Sequence, residues 1–129
     1  MNSKKTKNTL LKSFKCAFDG IFHYLLKERN FRIHVSIAVL VIIAGFFFQI
    51  TRMEWVAVLL LVAFVLSLEA INSCIERICD FISPGYDRRI KAIKDISAGF
   101  VLISAIISVV VGCIIFIPYI FALLQSFTL

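Results

Sequence analysis

The chain has 129 residues, 60% of them hydrophobic and only 17% charged, with a mean hydropathy of +0.96; soluble domains carry about 45–50% apolar and about 25% charged residues. This excludes a soluble globular enzyme, a disordered tail and a disulfide scaffold. The net charge of +6 does not indicate nucleic acid, because the cations are distributed between apolar runs as in a membrane protein.

Lysines 4, 5, 7, 12 and 15 interrupt the N-terminus before any apolar run, so it does not read as a signal peptide. From about Thr9 to Lys27 the pattern is helical. Lys12, Lys15, Asp19, His23 and Lys27 form one stripe, and Leu10, Leu11, Phe14, Phe18, Ile21, Phe22 and Leu25 cover the other side. A surface helix over about 9–27 is expected, lying in the bilayer interface with its lysines toward anionic lipid; the alternative is a helix packed on a soluble partner. Gly20 interrupts the pattern, as expected where another helix approaches closely. His23 and His34 have no partner at ligand spacing and read as structural.

Three nearly charge-free runs follow, predicting spans at about 33–50, 55–78 and 96–118. Lys27, Arg29 and Arg32 precede the first, and Arg52 is the cation between the first and second. Arg77, Arg88, Arg89, Lys91 and Lys94 cluster between the second and third, and no cation follows. The positive-inside rule then puts the N-terminus and second loop in the cytoplasm, with Trp55 and Tyr119 at the outer interface. Cys16, Cys74, Cys79 and Cys113 lack metal spacing and read as reduced thiols. No internal repeat is visible. The expectation is an all-α integral membrane protein, one domain over residues 1–129, with three transmembrane helices and an N-terminal amphipathic helix.

The second span carries the chemistry. Glu69, Asn72, Glu76 and Asp80 fall within an arc of roughly 80° on one helix. An ionised residue at mid-membrane costs about 2.5–3.5 kcal/mol, so it normally faces a functional interior. Counting from Trp55 at about 1.5 Å per residue puts Glu69 about 21 Å inward, within reach of a lipid head group, with Glu76 and Asp80 further toward the cytoplasm. Ser83-Pro84-Gly85 makes a turn, after which Lys91, Lys94 and Asp95 open the third span. Glu28 and Arg32 are four apart before the first span, as in an ordinary helix salt bridge. A structural ion-pair network at the membrane edge is one reading of these charges. The other is a site for Mg²⁺ and a substrate phosphate, because Mg²⁺ is bound through one or two carboxylates plus phosphates and lysine is a common phosphate ligand. The scattered glycines form neither GxxxxGK[ST] nor GxGxxG. A cation-binding or ion-conducting subunit is a remoter alternative; it needs polar residues across the bilayer, which the first and third spans lack.

Three stretches carry a resemblance. Glu69-Ala70-Ile71-Asn72-Ser73-Cys74-Ile75-Glu76-Arg77-Ile78-Cys79-Asp80 resembles the ExxN[ST]AIExxxD signature of the small prokaryotic diacylglycerol kinase family. Lys91-Ala92-Ile93-Lys94-Asp95-Ile96-Ser97-Ala98-Gly99 is similar to that family's KxAKDxAAG element. Glu28-Arg29-Asn30-Phe31-Arg32-Ile33-His34 resembles the ERNxRIH stretch of its Gram-positive undecaprenol kinase branch. The likeness runs from about residue 10 to 118. It implies an ATP-dependent lipid kinase of the bacterial cytoplasmic membrane acting on undecaprenol or, alternatively, diacylglycerol. Glu69 would be the general base, and Glu28 and Glu76 would hold Mg²⁺. ATP would be met by Glu28, Asn72, Glu76, Asp80, Gly85, Tyr86, Asp87, Lys94 and Asp95. The lipid would be met by Glu69, Arg32 and Ala98. The resemblance also implies a homotrimer with shared active sites. Asp87 departs from the family, which often has histidine there, and Cys74, Ile93 and Phe100 replace smaller residues.

Overall fold

A computed structural model of the chain describes residues 3–127, the side chains of residues 3–8, 23, 25 and 26 excepted. Four helices follow in order: α1 Ser3–Lys27, α2 Arg29–Phe48, α3 Arg52–Ile82 and α4 Arg88–Ser126. Among the described residues there is no strand. The chain divides into two compact units, Met1–Ile33 and His34–Leu129, with the boundary inside α2.

In the first unit, α1 is one helix through Gly20, where an added Cβ would meet nothing within 4 Å. Glycine there lowers helix propensity. Leu10, Leu11, Phe14, Phe18, Ile21 and Phe22 are all exposed. The side chains of His23 and Leu25, assigned above from spacing, and those of Lys4, Lys5 and Lys7 lie outside the described residues. Tyr24 and Phe31 meet with ring centroids 4.5 Å apart, and Phe31 is buried.

In the second unit, α2, α3 and α4 are long and apolar enough to cross a bilayer, which makes this a multi-pass membrane protein. Burial runs opposite to that of a soluble fold. Leu60, Phe64, Ile106 and Val109 are exposed, whereas Glu69, Asn72, Ser73 and Ser104 are buried. In lipid this is the stable arrangement, because hydrocarbon solvates apolar side chains and polar groups must find partners inside. The helices also run past the apolar spans at their polar ends. α3 continues to Ile82 and α4 starts at Arg88, since hydropathy marks the membrane-embedded part of a helix and not its ends.

The α2–α3 corner is built from local chemistry. Gln49 takes a left-handed φ of 52°. The Gln49 N–H then donates to the Phe46 carbonyl at 3.3 Å and the Ile50 N–H to the Gly45 carbonyl at 3.2 Å, the paired bonds that close a helix in a Schellman turn. Thr51 and Glu54 follow as a reciprocal capping box. Glu54 Oε2 accepts from the Thr51 N–H at 2.7 Å, the Thr51 hydroxyl at 2.8 Å and the Tyr119 hydroxyl of α4 at 2.8 Å. Beneath this corner Ile50, Val58 and Ile115 form a small apolar cluster, flanked by Phe48, Trp55, Phe116 and Tyr119.

Trp55 lies against Gly45 so closely that a Cβ there would sit 2.8 and 2.9 Å from two indole carbons. Overpacking of this kind costs about 1–3 kcal/mol. Gly45→Ala is expected to lower the melting temperature in detergent, read from the fluorescence of Trp55. Gly112→Ala, where a Cβ meets nothing within 4 Å, is expected not to lower it. Equal melting temperatures for the two variants would remove the Gly45–Trp55 contact as a determinant of this corner.

Candidate functional site

The polar face of α3 forms as its periodicity predicts. Glu69 is 3% exposed and Asn72 5% exposed; one turn on, Glu76 is half-buried, and Asp80 is exposed. The face therefore leads from an enclosed acid outward to an open one. The Asn72 Nδ2 donates to Glu76 Oε1 at 3.3 Å, an i, i+4 bond that orients the carboxylate. Among the described residues, Asn72 Oδ1 is buried and meets no donor. A buried acceptor without a donor carries a desolvation penalty of about 1–3 kcal/mol.

α4 packs antiparallel on this face. Its register is fixed by Lys94, whose Nζ lies 2.9 Å from Asp80 Oδ1, and by Tyr119 on Glu54 at the other end. The same register sets Ser104 level with Glu69 and Val101 level with Ser73, and all four are buried. Ser104 donates back to the Val101 carbonyl at 2.7 Å, satisfying its hydroxyl inside its own helix.

Between the polar ends of α3 and α4 lies a cavity of about 430 Å³, within the about 300–1,000 Å³ usual for small-molecule sites. Asp80, Gly85, Tyr86, Asp87, Lys94 and Asp95 line it, as does Lys91. Asp87 is the N-cap of α4. It accepts from the Arg89 N–H at 2.7 Å and pairs with Arg89 Nη2 at 3.1 Å. The Arg89 side chain first, and then its N–H, hold the Asp87 carboxyl below its ordinary range. The cap is thus intact at neutral pH and is lost only as pH falls through that lowered value. Its charge is paired with that of Arg89.

The remaining expected residues are placed as follows. Ala98 is exposed on α4. Glu28, half-buried, and Arg32, exposed, belong to the first unit. Among the described residues no group of three or more His, Cys, Asp or Glu is arranged to hold a metal ion by itself. Ser104 and the lining role of Lys91 were not read from the sequence. A lone serine in an apolar run carries no signal of burial, whereas Lys91 stood in a quoted motif without an assigned task.

The sequence model described as prokaryotic diacylglycerol kinase matches residues 15–116. The chain is 39% identical to an undecaprenol kinase of Bacillus subtilis over 121 residues, 92% of this chain and 98% of that protein. It is 32% identical to a diacylglycerol kinase of Synechocystis sp. over 124 residues, 95% of this chain and 71% of that protein.

Proposed function

The chain belongs to the prokaryotic diacylglycerol kinase family, and from that premise we propose that it transfers the γ-phosphoryl group of ATP to the hydroxyl of a membrane lipid alcohol, undecaprenol. The observation that supports this most directly is the ladder of Glu69, Asn72 and Glu76, running from an enclosed position among apolar helices toward the polar cavity. A lipid hydroxyl reaches one end of that ladder and a soluble nucleotide the other.

Glu69 takes the hydroxyl proton as the lipid oxygen attacks the γ-phosphorus; the bond from γ-phosphorus to the β-phosphate oxygen breaks, and ADP leaves. Phosphoryl transfer depends mainly on positioning and charge stabilisation, which is what this chain supplies. Lys94 contacts phosphate, while Asn72, Asp80, Asp95, Gly85, Tyr86 and Asp87 shape the nucleotide site. The family resemblance assigns Arg32 and Ala98 to the lipid as well. Glu28 and Glu76 offer carboxylate oxygens, the donor type Mg²⁺ takes, and an ion held largely by phosphate and water needs only one or two of them. When bound, Mg²⁺ screens the phosphate charge. In this reading the protein works in the bacterial cytoplasmic membrane as a homotrimer, with the cavity on the cytoplasmic side.

Purified protein given ATP radiolabelled on its γ-phosphate is expected to label a long polyprenol in preference to diacylglycerol when both compete at equal surface concentration. The 39% identity to an undecaprenol kinase and the Glu28–His34 stretch favour the polyprenol. A kcat/KM favouring diacylglycerol would move the chain to the other substrate, and labelling of neither lipid would overturn the kinase reading.

A further inference from the structure

We propose that Lys91 is a nucleotide ligand in its own right, holding the non-transferred phosphates of the triphosphate at the outer rim of the polar cavity. The inference rests on the kinase reading above and adds to it a residue with its own contact.

The cations around the cavity differ in what they already hold. Lys94 is occupied by Asp80 at 2.9 Å, and Arg89 by Asp87 at 3.1 Å. Arg88 is exposed and is not among the residues lining the cavity. Lys91 lines it, is exposed, and among the described residues has no carboxylate within ion-pair distance. It is therefore the lining cation whose charge is available without breaking a bond first. Asp95 also lines the space and, among the described residues, is not paired as Asp80 and Asp87 are, so a polyanion entering it meets an acid that the other cations do not compensate.

Position along α4 divides the work. Lys91 and Lys94 are three residues apart, on one side of the helix and about 4.5 Å apart along its axis. Lys94 lies opposite Asp80, nearer to Glu76 and Glu69 and so to the transferring phosphate. Lys91 is one turn closer to the start of α4, where the rest of the phosphate chain must pass. A lysine ammonium suits this task, because it is a compact charge on a flexible stem that can follow a moving phosphate.

The test uses the full-length protein in detergent, at low ionic strength and saturating polyprenol. Lys91→Gln is expected to raise the KM for MgATP about five- to tenfold, as loss of one charge-assisted contact would, with kcat changed less than about twofold. Lys91→Arg is expected to restore most of the loss. Arg88→Gln removes the same charge outside the cavity and is expected to move KM less than about twofold. Calorimetric binding of MgADP, which needs no turnover, should weaken in parallel for Lys91→Gln. An unchanged KM and MgADP affinity in Lys91→Gln would overturn the proposal. So would an equal effect from Arg88→Gln, which would reduce it to a general field. A wild-type protein that binds MgADP but phosphorylates no lipid would overturn the kinase reading instead, with the Lys91 contact still decided by calorimetry.

Discussion

Glu69→Gln is expected to lower kcat by about 10²–10⁴, the usual range for loss of a general base, while MgATP binding stays near wild type. Glutamine keeps the shape and hydrogen bonding of the side chain but cannot accept the hydroxyl proton. The position makes the substitution informative. Glu69 is almost fully buried and set level with Ser104 of α4, two turns of helix from Glu76 and further from the cavity. A change there should leave nucleotide contacts alone. Removing a buried charge also carries a folding risk, so the variant's melting temperature and oligomeric state are measured in the same preparation. If Glu69→Gln retained most of its kcat with the assembly intact, the proton acceptor would have to lie elsewhere, and Asp95 on the cavity wall would be the next candidate.

The elements legible in the sequence were those decided by local composition. Hydropathy is a sum over neighbours, so the three apolar runs appear as α2, α3 and α4. The stripe of Glu69, Asn72, Glu76 and Asp80 needed only the helical period. Contacts between segments were harder to read. The pairing of Lys94 with Asp80 was readable as a network of charges, but the antiparallel register it fixes depends on where two helices meet. The capping role of Asp87 was hidden because an aspartate before two arginines looks like loop charge until the start of α4 is known. Gln49 gave no signal at all. Glycine is the usual residue in a left-handed helix end, and here a glutamine takes that conformation.

Glu76→Gln is expected to raise the Mg²⁺ concentration for half-maximal activity by about tenfold or more, the lower end of what disturbing a metal site costs. Glu76 is half-buried, and one of its oxygens already accepts from Asn72 at 3.3 Å. Glutamine preserves an acceptor for that bond, so the variant changes the charge offered to the metal with little change in geometry. A carboxylate used only to orient Asn72 would survive this exchange with its Mg²⁺ dependence intact, whereas a ligand would not. Glu28→Gln is the companion variant and is expected to shift the same curve. Chelation of Mg²⁺ should abolish transfer in the wild type and all variants, because the phosphates would then face Asp80 and Asp95 unscreened. Titrating Mg²⁺ at fixed ATP, with turnover as readout, gives each curve. A wild-type curve for either variant would remove that residue from the metal site and leave its carboxylate as part of an ion-pair network at the membrane edge.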